Sequence, residues 1–144
     1  MAVVLACVAS AACNSPAIGE RTALDADSAA ELAERDGVTI PDGFEFVEGR
    51  SHVEFVGQAA WSADFTGPAA LGDGKAVAEA NPSFPPLQPL SDCATVPTSV
   101  GPATSPCVSG FVSTFPPAGG MDAVTIRLTT RTDAALLSVS STGH

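Results

Sequence analysis

Positive charge is what this sequence has least of: six Lys and Arg residues stand against sixteen Asp and Glu, a formal net charge of −10. Nucleic acid and anionic headgroups are held by clustered Lys and Arg. No such cluster exists, so neither is expected as a partner. Histidine is nearly as scarce, with only His52 and His144. A zinc site takes three or four nitrogen or sulfur ligands, so no metal is expected. A Ser-His-Asp triad would have to use His52, and no serine stands in a G-x-S-x-G or comparable nucleophile setting. No apolar run reaches the roughly 18 residues that a membrane-spanning helix needs. Phosphate loops, dinucleotide fingerprints and internal repeats are missing as well. No catalytic residue and no cofactor follow from the sequence.

What is present begins at the amino terminus. An uncharged apolar stretch, Ala2 to Ala9, runs through Ser10-Ala11-Ala12 into Cys13 and the polar Asn14-Ser15-Pro16. An apolar segment of about 7–15 residues ending in small side chains is the form of a secretory signal, so residues 1–12 read as a signal peptide. Two processing sites fit. Ala-Ala-Cys suits a bacterial lipobox, with lipid attached to Cys13, although serine at position 10 replaces the usual leucine; Ala9-Ser10-Ala11 suits ordinary cleavage after Ala11. Cysteine arithmetic favours the lipobox. Cleavage after Ala11 leaves three cysteines in an oxidising compartment and thus an orphan thiol, whereas lipidation of Cys13 leaves Cys93 and Cys107 as a pair. The first cation is Arg21, so the basic segment that normally opens a signal is missing, which suggests a start further upstream.

The 132 residues from Cys13 onward suffice for one core. Residues 13–23 read as a tether and 24–144 as a single α+β domain. Ser28-Ala29-Ala30-Glu31 has the form of a capping box and Gly37 that of a helix stop, predicting a helix over 25–36. Ile40-Pro41-Asp42-Gly43 is turn chemistry leading into a strand over 44–48, with Gly49-Arg50 closing a hairpin. From 53 to 65 the odd positions Val53, Phe55, Gly57, Ala59, Trp61, Ala63 and Phe65 alternate with Glu54, Gln58, Ser62 and Asp64. That pattern predicts a half-buried antiparallel strand with a bulge or bend near Gly57. Pro68 can open a second helix over 69–80, weakened by Gly72 and Gly74. Nine of the twelve prolines fall in 82–117 and exclude most regular structure there. Within that stretch a Cys93–Cys107 disulfide would stabilise by about 3 kcal/mol in the chain-entropy description. Strands are expected over 108–115, 122–130 and 136–141, giving an antiparallel sheet of about five strands with one or two helices on one face.

Two acidic groups could carry chemistry. Glu45, Glu48 and Glu54 could meet across the first hairpin, although such a trio is more often the wet face of a sheet. Asp25, Asp27 and Glu31 resemble the start of a calcium loop, but Ala29 and Ala30 occupy the third-ligand and glycine positions. Ala11-Ala12-Cys13, the Ile40-Pro41-Asp42-Gly43 turn, the proline-rich Cys93–Cys107 segment and the closing Ser140-Ser141-Thr142-Gly143 resemble small lipoproteins of high-GC Gram-positive bacteria. The resemblance implies location: outside the cytoplasm, anchored through Cys13 to the outer face of the cell membrane, or secreted. The expected function is a non-catalytic envelope protein binding another envelope protein or a small ligand. The alternatives are a protease-inhibitor-like protein presenting the 93–107 loop and, behind it, a hydrolase.

Overall fold

The computed structural model describes residues 17–53, 57–93 and 106–144. Its framework is one open sheet of seven antiparallel strands: β1 (Arg21–Leu24), β2 (Glu45–His52), β3 (Trp61–Pro68), β4 (Gln88–Pro89), β5 (Cys107–Phe115), β6 (Val124–Arg131) and β7 (Ala134–Ser141), in the order β1-β2-β3-β7-β6-β5-β4. Two meanders therefore meet at the centre. The first ends in β3, the second in β7, and these pair from Trp61 opposite Ser141 to Pro68 opposite Ala134.

Alternation along the central strands decides which face is buried. Trp61, Ala63 and Phe65 of β3, Val124, Ile126 and Leu128 of β6, and Leu137 and Val139 of β7 all lie under one layer of helices. Burying side chains of this size contributes about 1.5–3 kcal/mol each. Helix α1 (Ala26–Arg35) supplies Ala29 and Ala33 to that core, and α2 (Lys75–Ala80) supplies Val77. Phe46 meets Phe65 edge to face, with ring centroids 5.9 Å apart.

The expected α+β architecture is present, with seven strands among the described residues in place of about five. The additional two are β1 and β4. Strand β1 begins inside the stretch read as tether, pairing Arg21–Leu24 with His52–Gly49. Being an edge strand with only Leu24 partly buried, it is held by its backbone ladder and shows no apolar alternation. Strand β4 consists of Gln88 and Pro89 against Val112 and Phe111, at the other edge, where proline is tolerated.

Gly49-Arg50 is not a turn. Both residues lie inside β2, where a Cβ on Gly49 would stand 3.1 Å from the Ser62 carbonyl oxygen and 3.2 Å from Leu24 Cβ, so glycine lets three strands approach. The chain bends at Gly57, which has φ +91, and a bulge falls between Phe46 and Glu48. The long alternation contains a strand only from Trp61 onward; 57–60 are not strand, and Glu54, Phe55 and Val56 lie outside the described residues.

At α1 the cap is Asp25, whose carboxylate accepts from the Ser28 N–H at 2.8 Å, three residues earlier than a Ser28 cap would be. That bond to the exposed carboxylate holds the Asp25 carboxyl below its ordinary range. The second helical stretch splits: a 3-10 segment, Ala69–Asp73, precedes α2, and the break is Gly74 at φ +80, a left-handed conformation that glycine adopts without strain.

Candidate functional site

Three places combine chemistry with shape. The first is an apolar cavity of about 240 Å³ between α2, the proline-rich segment after it and the β5–β6 pair. Val77 and Ala78 form one wall, Phe84 to Leu87 a second, and Ser113 and Ile126 the floor. Its polar atoms are used internally. The Ser113 hydroxyl donates to the Pro85 carbonyl at 2.6 Å. The Asn81 carboxamide accepts from Thr39 N–H at 2.8 Å and donates to the carbonyls of Thr39 and Val77 at 2.9 Å. Sequence reasoning missed this cavity because the proline-rich stretch that forms its second wall carries no periodicity; the signal was a buried serine, Ser113, in the inward register of β5 between Phe111 and Phe115.

The second place is an open groove of about 550 Å³ at the end of the sheet where β3 begins and β7 ends. Asp36, just past α1, accepts from the indole N–H of buried Trp61 at 2.7 Å and from Arg35 Nε at 2.9 Å. Burial pushes the Asp36 carboxyl upward, but the hydrogen bonds from Arg35 and Trp61, the Arg35 charge and the Ser141 hydroxyl outweigh it and leave it below the ordinary carboxylate range. His144 lies in the same groove with Nδ1 3.4 Å from an Asp122 carboxylate oxygen. His52 is the last residue of β2 and partly buried. Among the described residues no hydrogen bond joins either histidine side chain to a serine hydroxyl, the contact on which a nucleophile–base pair depends.

The third lies on the sheet face away from the helices. Glu48 is directly opposite Asp64, with Arg50 one step along, and Arg50 Nη2 is 3.7 Å from Glu48 Oε1. Burial raises the Asp64 carboxyl; the Ser138 hydrogen bond and Arg50 oppose this, and the neighbouring Glu48 charge adds to it. Two adjacent carboxyls are the raw material of acid–base chemistry, but the depression beside them holds about 30 Å³, roughly one water. Of the expected carboxylate trio, Glu45 is exposed opposite Thr66, Glu48 meets Asp64 instead, and Glu54 lies outside the described residues. The bulge at Val47 sets Glu48 in register with Asp64.

Cys93 and Cys107 are joined by a disulfide. Residues 94–105 of the loop it closes, the part an inhibitor-like protein would present, lie outside the described residues, as do the segment read as a signal and Cys13. Asp25, Asp27 and Glu31 are spread over the start of α1 with Asp25 committed to the cap, and among the described residues no group of three or more His, Cys, Asp or Glu is placed to hold a metal. Among those residues no helix is long and apolar enough to cross a membrane. No protein-family model, curated protein or solved structure matches the chain.

Proposed function

We propose that the protein is an exported, lipid-anchored, non-catalytic module of the bacterial envelope, held by Cys13 at the outer face of the cytoplasmic membrane, where it binds another envelope protein or a small ligand. The observation that carries this reading is the Cys93–Cys107 bond. Disulfides persist in oxidising compartments. With those two thiols paired and Cys7 inside the expected signal, Cys13 is the one cysteine left over, and it follows two alanines at the end of the apolar run.

The polar groups at the three places described are chiefly engaged in holding backbone and buried side chains, a pattern that suits recognition better than turnover. Only seven residues separate Cys13 from β1. Even fully extended they reach about 25 Å, so an anchor at Cys13 keeps the sheet close to the membrane. Intact-mass analysis of the exported protein is expected to show a mature chain beginning at a diacylglyceryl-modified Cys13. An unmodified chain beginning at Ala12 overturns the anchor.

A further inference from the structure

We propose that the cavity between α2 and the β5–β6 pair is a binding site for the alkyl chain of an uncharged single-chain amphiphile. Its walls are carbon: Val77, Ala78, Phe84, Leu87 and Ile126, together with prolines that have no N–H to leave unpaired. The polar atoms nearby, the Pro85 carbonyl and the Asn81 carboxamide, already have partners, so the site offers a ligand dispersion and the exclusion of water and no hydrogen bond that would select a polar group. An enclosed cavity lined by carbon stays dry and accepts hydrocarbon, and the inner walls of this one, which opens to solvent at one side, have the same carbon lining.

The volume of about 240 Å³ equals roughly eight water-sized units, enough for a medium-length alkyl chain but small for a drug-sized ligand. The site is preformed, because proline fixes φ in the second wall and the Ser113–Pro85 bond ties that wall to β5. Charge determines the headgroup. Among the described residues the mouth, at Ala78, Pro82 and Pro86, presents no cation. Lys75 of the same helix is 3.9 Å from Glu79, and the chain as a whole carries −10, so nothing there compensates an anionic head, and a neutral one remains in water outside the cavity.

The test uses the full chain with Cys13→Ser, so that no acyl chain of its own can compete and the result does not depend on the anchor. Octyl glucoside, below its micelle concentration, is titrated into methyl-labelled protein and followed by NMR. The expected result is saturable movement of the Val77, Leu87 and Ile126 methyl signals with those of Leu24 unmoved, and weaker binding of octanoate. Ala78→Phe, at an exposed position on the mouth, should abolish the saturation while Glu79→Phe, one residue on and facing solvent, retains it. Thermal midpoints and Trp61 emission verify that both variants are folded. Unmoved methyl signals, saturation surviving Ala78→Phe, or octanoate binding as tightly as the glucoside would each overturn the proposal.

Discussion

Asp36→Ala should cost this protein far more than the loss of one carboxylate at a helix end ordinarily does. Trp61 is 2% exposed, its indole N–H lies 2.7 Å from Asp36 Oδ2, and the Asp36 side chain is itself 8% exposed. A hydrogen bond to a charged acceptor contributes about 1.5–3 kcal/mol, and a buried donor left without a partner carries its full desolvation cost. The expected loss is therefore about 2–3 kcal/mol, against a total of roughly 5–15 kcal/mol for a small domain. Trp61→Ala removes the ring as well and should cost about 3–5 kcal/mol. Asp36→Asn keeps an acceptor and forfeits mainly the pairing with the partly exposed Arg35, worth about 1 kcal/mol or less. The assay is a double-mutant cycle of Asp36→Ala and Trp61→Phe in urea, read by far-UV circular dichroism because the second variant has no tryptophan. A coupling of about 2 kcal/mol is expected; one below about 0.5 kcal/mol would show that the contact contributes little and refute the reasoning. Acid supplies an independent check. Because folding lowers the affinity of Asp36 for a proton, its contribution is complete above the unfolded value near 3.9 and drains away as pH falls through the lower folded value. The penalty of Asp36→Ala should shrink over that same acid range.

Asp64 behaves in the opposite sense. Its carboxyl is raised by burial, so the folded state holds the proton more tightly and stability from this group is lost as pH rises through the folded value. Asp64→Asn should thus gain on the native chain with increasing pH in denaturant titrations, and a gap that closes instead would contradict the assignment. Gly72 is buried, and a Cβ there would stand 1.9 Å from Thr130 Oγ1, the hydroxyl that donates to the Gly72 carbonyl at 3.0 Å. Gly72→Ala should cost about 1–3 kcal/mol, with partial recovery in the Thr130→Ala background; an unchanged denaturation midpoint would mean that the 3-10 segment shifts freely.

The sheet was legible where side chains alternate between core and solvent, and illegible where the backbone alone holds a strand. Trp61, Ala63 and Phe65 on β3 and Val124, Ile126 and Leu128 on β6 announce their buried face at every second residue, and all six are buried. Arg21–Leu24 and Gln88–Pro89 announce nothing, since an edge strand needs only hydrogen bonds from its neighbour. Glycine misled in one direction and informed in the other. At 49 a turn former turned out to be a spacer between packed strands, whereas at 74 its weakening of a helix corresponds to the actual break.

The candidate sites were less legible than the fold because each depends on register, and a one-residue slip exchanges the faces of a strand. Val47 is such a slip: by strict alternation Glu48 would fall on the core face, opposite Ala63, but the bulge sets it opposite Asp64 on the outward face, where Glu45 stands exposed opposite Thr66. The cavity depends on a coincidence of three segments far apart in sequence. Ser113 is legible only as a polar residue in an inward position, and what makes it meaningful is that its hydroxyl is consumed by Pro85, twenty-eight residues earlier. A polar side chain of that kind spends its hydrogen bond on shaping a wall and leaves an apolar surface behind. In a proline-rich, charge-poor segment, the position to examine for a ligand site is therefore the buried hydroxyl on the strand that faces it.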